Sequence, residues 1–137
     1  GAFLTSGKAS DVLKPGDHGS TYGWNPLVCA VASKVLDIFK EDDITGNVKA
    51  VGDYLKEKLE CMAKEYPFIK EVRGKGLLLG MEFDRPVADI IKSALLDEKM
   101  VLINAGSNVL RFIPPLIISK EDVDDALERL KRVLNKF

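Results

Sequence analysis

The stretch Phe68-Ile69-Lys70-Glu71-Val72-Arg73-Gly74-Lys75-Gly76-Leu77-Leu78-Leu79-Gly80-Met81-Glu82-Phe83 decides how this chain folds. Residues 68–73 and 77–83 carry the aliphatic and aromatic side chains that suit a pleated surface. Gly74-Lys75-Gly76 parts them, so they read as two strands and their connection. Upstream, Val48, Val51, Leu55, Leu59, Met62 and Tyr66 recur every three or four residues, the period of one helix face. Gly46-Asn47 opens that helix and Pro67 ends it. Downstream, Pro86 begins another helix with Val87, Ile90, Ile91, Ala94 and Leu95 inward. Residues 100–103 and 109–113 read as strands around Asn104-Ala105-Gly106-Ser107-Asn108, a run of turn formers. Pro114-Pro115 stops the second, because proline removes a ladder donor and restricts the residue before it. Ser119 with Asp122 forms an imperfect capping box for a last helix. Its stripe is Val123, Ala126, Leu127, Leu130, Val133, Leu134 and Phe137.

From Asn47 onward the order is therefore α-β-β-α-β-β-α. That order predicts a small, mostly antiparallel sheet covered by helices on one side, an α+β layer architecture. Residues before about Pro26 do not belong to this core. Residues 1–6 are an apolar strand candidate that starts abruptly, without cap or leader, as in a chain cut from something longer. A weak helix over 8–13 is broken by Lys14-Pro15-Gly16. Residues 26–40 form a helix whose first half, from Leu27 to Ala32, is apolar all round, which predicts burial on more than one side.

Composition narrows the function classes. The 137 residues are 46% hydrophobic and 30% charged, ordinary for a globular domain, and 20 basic against 21 acidic residues leave a net charge of −1. No bulk electrostatics point to nucleic acid or to an anionic membrane surface. The longest apolar run is far too short to span a bilayer. Cys29 and Cys61 sit among apolar neighbours on predicted helices and share no metal-ligand spacing, so the expectation is two buried, unpaired thiols in a reducing cytoplasm.

Two segments carry candidate chemistry. Asp17-His18-Gly19-Ser20-Thr21-Tyr22-Gly23-Trp24-Asn25-Pro26 is a polar loop running into a helix, with Asn25 as N-cap and Pro26 in the first turn. Such a loop can offer hydroxyls and backbone N–H groups to a phosphate. Ser20 and Thr21 fit that role, and equally fit the commoner one of stabilising a turn. Arg111 stands in the otherwise apolar Leu110-Arg111-Phe112-Ile113-Pro114-Pro115-Leu116. Its planar fork suits a carboxylate, while an edge-strand arginine that snorkels or pairs with a local acid is an even alternative. His18, the sole histidine, lacks a nucleophile or orienting acid at recognisable spacing and is expected to hydrogen-bond within its loop.

These segments resemble class III pyridoxal-phosphate-dependent aminotransferases of the acetylornithine and ornithine type. The loop is similar to their His-Gly-Ser-Thr-(aromatic)-Gly-Gly-Asn-Pro. Residues 73–77 are similar to Arg-Gly-x-Gly-Leu, a strand connection rather than a phosphate nest, and residues 111–116 to Arg-Phe-Ala-Pro-Pro-Leu. The likeness is colinear over essentially the whole chain. It implies that Thr21 reaches across a homodimer interface to the phosphate of pyridoxal 5'-phosphate. It further implies that Ser20 lies near the substrate and that Arg111 receives a substrate carboxylate. Trp24 departs from the pattern where a second glycine is usual, and Ile113 replaces a small residue.

The same resemblance implies the small C-terminal domain of a fold-type-I enzyme. Residues 1–25 would be the tail of the large cofactor-binding domain, 26–46 a connecting helix and 47–137 the small domain. The Schiff-base lysine of the family lies upstream, shortly before a glycine-rich run ending at a position like Gly1-Ala2-Phe3-Leu4. The chain alone should then be inactive. The parent would be a cytoplasmic enzyme of arginine biosynthesis, moving the amino group of N-acetylornithine or a similar ω-amino acid to 2-oxoglutarate. Ornithine, 4-aminobutyrate or succinylornithine aminotransferase and glutamate semialdehyde aminomutase are the near alternatives. A non-catalytic α+β module that binds a small ligand or a partner is the distant one.

Overall fold

The computed structural model describes residues 3–137 and divides into two compact units, Gly1–Asp43 and Ile44–Phe137. In the first, a single 3-10 turn, Gly7–Ala9, replaces the expected helix over 8–13. Residues 3–6 form no strand and are exposed, and Gly1 and Ala2 lie outside the described residues. A strand needs a ladder partner for its N–H and C=O groups, and the described residues of this unit contain no other strand. Helix α1, Pro26–Glu41, starts as predicted: the Leu27 N–H donates to Asn25 Oδ1 at 2.9 Å, with Pro26 in the first turn. Its expected burial on several sides is absent. No residue of α1 is buried, and Leu27 stays 72% exposed.

The second unit holds the core. Helix α2 spans Ile44–Glu65, β1 Ile69–Lys75, β2 Leu78–Phe83, α3 Ala88–Glu98, β3 Ile103–Asn104, β4 Val109–Phe112 and α4 Lys120–Leu134. The order is the predicted α-β-β-α-β-β-α. The sheet runs β1-β2-β4-β3 with every neighbour antiparallel. One face, with Ile69, Leu79, Met81, Phe83 and Leu110, joins the apolar stripes of the three helices in a single cluster. Leu59, Met81, Leu110 and Val133 are completely enclosed. Burying one such side chain stabilises by about 1.5–3 kcal/mol.

The hairpin β1–β2 closes at Lys75 and Leu78, and Gly76 takes a φ of 56° in its turn. Helix α2 approaches this turn so closely that a Cβ on Gly52 would lie 2.4 Å from the Gly76 carbonyl carbon. Only glycine fits there. At the start of α4 the Asp122 N–H donates to Ser119 Oγ at 3.1 Å, and the Ser119 N–H donates back to Asp122 Oδ2 at 3.1 Å. The box is reciprocal even though aspartate replaces the usual glutamate.

Helix α2 begins at Ile44, ahead of the expected Gly46-Asn47 start, and the strand expected over 100–103 is reduced to Ile103–Asn104, the residues that reach β4. Three further expectations at the margins fail for geometric reasons. Leu95 is half exposed, since the buried line of α3 runs through Val87, Ile90 and Ala94 and leaves Leu95 about 100° further round. Phe137 lies past the end of α4 and is 44% exposed. Cys29 and Cys61 are free, as expected, but exposed rather than buried. Cys61 falls on the α2 face turned away from Leu59 and Met62, and Cys29 belongs to the uncovered α1.

Candidate functional site

Strand β4 lies between β2 and β3, so Arg111 is on an inner strand, which removes the edge-strand reading. Its cross-strand partners are Gly80 and Ile103. Because side chains alternate along a strand, Arg111 shares the open face of the sheet with Arg73, Glu71 and Glu82, opposite the face that carries the core. Arg73 is paired there through one nitrogen. Its Nη1 donates to Glu71 Oε2 at 2.9 Å and to Glu82 Oε2 at shorter range, and the Glu82 contact leads in holding this guanidinium above its ordinary value. Asn108 Nδ2 also approaches Glu82 Oε1, at 3.5 Å. Arg111 is exposed and makes no ion pair or hydrogen bond among the described residues, so it is not held by a local acid there.

Beside Arg111 lies an apolar cleft of about 390 Å³, walled by Leu55 of α2, Leu127 of α4 and the segments 100–103 and 111–118. Arg111 is the one charged residue on its wall. Asn47 holds this wall from behind: its Nδ2 donates to the Leu116 carbonyl at 2.8 Å and to the Ile118 carbonyl at 3.2 Å. Sequence reasoning missed both the cleft and Asn47. The available signal was the density of apolar residues from Met100 to Ile118 around very short strands, which a two-layer core cannot absorb on one face.

The loop before α1 is described within its own unit. Ser20 Oγ accepts the Gly23 N–H at 3.0 Å, closing a turn and leaving its own hydroxyl hydrogen free to donate. Thr21 is exposed and its hydroxyl has no partner among the described residues. His18 makes no hydrogen bond there either, contrary to expectation, because the loop folds through Ser20 and the Asp17 carboxylate, which accepts from the Lys14 N–H at 2.7 Å. Trp24 is 95% exposed and takes a φ of 61°. That left-handed conformation costs a non-glycine residue about 1–2 kcal/mol, which is a physical reason for a glycine at this position. Ser20 and Thr21 thus belong to one unit and Arg111 to the other.

Two lysines have shifted ammonium groups, Lys58 held up foremost by Tyr54 and Lys131 by Glu65. Both shifts favour the charged form, the reverse of what a nucleophilic amine requires.

The fold is that of a part of the pyridoxal-phosphate aminotransferases. The acetylornithine aminotransferase of Elizabethkingia anophelis superposes with a TM-score of 0.79 at 30% identity, covering 93% of this chain and 33% of that one. An ornithine delta-aminotransferase of Plasmodium falciparum gives 0.82 at 33% identity, covering 92% and 33%. The family described as aminotransferase class-III matches residues 1–134, and the chain belongs to it. The acetylornithine aminotransferase of Caldanaerobacter subterraneus subsp. tengcongensis is 46% identical over 128 residues, 92% of this chain and 32% of its own length. The mitochondrial acetylornithine aminotransferase of Eremothecium gossypii is 41% identical over 137 residues, 100% of this chain and 32% of its length. The chain therefore spans about a third of these relatives. Among the described residues no helix is long and apolar enough to cross a membrane.

Proposed function

We propose that the chain is the C-terminal portion of a cytoplasmic aminotransferase that passes the amino group of N-acetylornithine, or a similar ω-amino acid, to 2-oxoglutarate in arginine biosynthesis. In this reading residues 1–25 are the tail of the large domain, 26–46 a connecting helix and 47–137 the small domain. The enzyme works as a homodimer. The observation that carries the reading is Arg111: an exposed, unpaired guanidinium on an inner strand, standing on the open face of the sheet. Its planar fork takes the α-carboxylate of either substrate through two parallel hydrogen bonds.

The donors of the loop fit a phosphate. Thr21 offers an uncommitted hydroxyl, and Ser20, which accepts from the Gly23 N–H, keeps its hydroxyl hydrogen free to donate. In the dimer Thr21 holds the phosphate of pyridoxal 5'-phosphate and Ser20 contacts the substrate beside it. That cofactor, when bound, supplies the electrophile that takes the amino group from the donor and returns it to the oxo acid. Neither Ser20, Thr21 nor Arg111 moves a proton; they bind and orient. The 137 residues alone carry no transaminase activity.

Arg111→Lys in the complete enzyme tests this. The charge remains and the two-point geometry is lost, so kcat/KM for both the amino donor and 2-oxoglutarate should fall at least about tenfold, in line with the 2–5 kcal/mol typical of losing a desolvated charge partner. The melting temperature should not change. Wild-type kinetics in a folded Arg111→Lys enzyme would remove Arg111 from the site.

A further inference from the structure

We propose that Arg73 is a positioning residue for the carboxylate site: by gripping Glu82 it keeps that carboxylate off Arg111. This rests on the reading of Arg111 as the carboxylate clamp. The sheet register supplies the geometry. Arg73 faces Gly80 on one side of β2, and Gly80 faces Arg111 on the other, so the two arginines stand in one row with no side chain between them. Glu82 faces Val109, two residues from Arg111 along β4, on the same side of the sheet. It is therefore the diagonal neighbour of Arg111, at a spacing of about 7–8 Å that long side chains bridge.

Among the described residues Arg73 is the one cation paired with Glu82. The cross-strand flanks of Arg111 are Gly80 and Ile103, and Val109 lies along its own strand. Glu71 lies on the outer strand β1, one strand further from Arg111. Glu82 is only one-third exposed on its side chain, held by Arg73 on one side and by Asn108 on the other. Without Arg73 it keeps only the long Asn108 contact, and by register the next cation on the face is Arg111. An internal carboxylate that reaches Arg111 occupies the fork a substrate carboxylate must fill. It competes with the amino donor and with 2-oxoglutarate alike, and leaves the chemical step untouched.

The test compares Arg73→Gln, Glu82→Gln and the double variant in the complete enzyme, with Arg111→Lys as reference. Arg73→Gln should raise KM for both substrates about fivefold, the strength of one partly exposed ion pair, with kcat nearly unchanged. Glu82→Gln alone should behave as wild type, and adding it to Arg73→Gln should restore KM. A structural role for Arg73 predicts instead a lower melting temperature with unchanged KM, which would overturn the proposal, as would a double variant that keeps the raised KM. A second readout uses no activity: nitrogen-15 resonances of the arginine side chains in this chain. The Arg111 Nε signal should shift in Arg73→Gln and return in the double variant. An Arg111 signal blind to Arg73 would overturn the proposal even if Arg111→Lys confirms the clamp. If Arg111→Lys is kinetically silent while the signal shifts, the carboxylate reading fails and the Glu82 capture stands.

Discussion

Helices α1 and α4 are almost equal in length, 16 and 15 residues, and differ in what they bury. The first is rich in leucine, valine, isoleucine and alanine, yet no residue of it is buried. The second is mostly charged, yet Val123, Leu127, Leu130, Val133 and Leu134 all disappear into the core. Apolar content did not decide the outcome. α4 carries a narrow stripe that matches one neighbouring layer, whereas α1 is apolar on more sides than its own unit can cover. The unit Ile44–Phe137 therefore gains its stability from its own packing, and the unit Gly1–Asp43 holds a local shape through turns and a cap.

The largest test of this contrast is a pair of truncations. Leu59→Ala, at a completely enclosed site, should cost about 2–5 kcal/mol in denaturant unfolding, because the cavity adds to the lost transfer energy. Val31→Ala in α1, more than half exposed, should stay within about 0.5 kcal/mol. Equal losses at the two sites would mean that α1 is packed in solution.

An intermediate effect is expected at the α4 cap. Ser119→Ala removes an N-cap and should cost about 0.5–2 kcal/mol. The loss should also depend on pH. Hydrogen bonds from the Ser119 hydroxyl and backbone hold the Asp122 carboxyl below its ordinary value. A lowered folded-state value means that this contribution is complete above about pH 4, the unfolded carboxylate value, and is lost as pH falls through the folded one. Asp84, Asp97 and Glu98 are lowered likewise by Arg85, Lys136 and Arg132, so the core unit as a whole should weaken below about pH 4. Acid titration of the unfolding midpoint checks both points. A midpoint that rises on acidification, or a Ser119→Ala deficit that persists undiminished at low pH, contradicts them.

The smallest effect sits in the loop. Trp24 is the chain's one tryptophan and is almost wholly exposed. Its fluorescence should match that of tryptophan in water and barely respond when denaturant unfolds the core. Trp24→Gly should relieve the left-handed strain, about 1 kcal/mol, and slow amide exchange in the loop while the core midpoint stays put. A blue-shifted emission that moves with the core transition would erase the distinction between the two units.

Much of this was legible beforehand. Period and punctuation located α2, the β1–β2 hairpin, β4 and α4, because each is built from local signals that tertiary packing reinforces. Arg111 stood out as a charged residue in an otherwise apolar segment, whereas Ser20 and Thr21, hydroxyls in a polar loop, were singled out by the motif they resemble. What did not show was relational. Whether Leu95, Cys61 or the apolar residues of α1 are covered depends on which neighbour lies across from them, and no window of sequence carries that. Asn47 looked like a helix opener, and its grip on the segment after Pro114-Pro115 spans some seventy positions. The pairing of Arg73 with Glu82 likewise follows from strand register and not from their nine-residue separation.

The bare-backbone contact between Gly52 and Gly76 has a consequence for how this domain can change. Helix and hairpin meet there like the two halves of a keyed joint, with no side chain to yield. The helix cannot slide or roll past the turn, so the strands that carry Arg73 and Glu82 are indexed directly to α2. A side chain at Gly52 has no tolerated size, and its acceptance waits on a shift of the whole turn. The two positions can therefore drift only together, and the spacing of the charged row on the open face is inherited along with them.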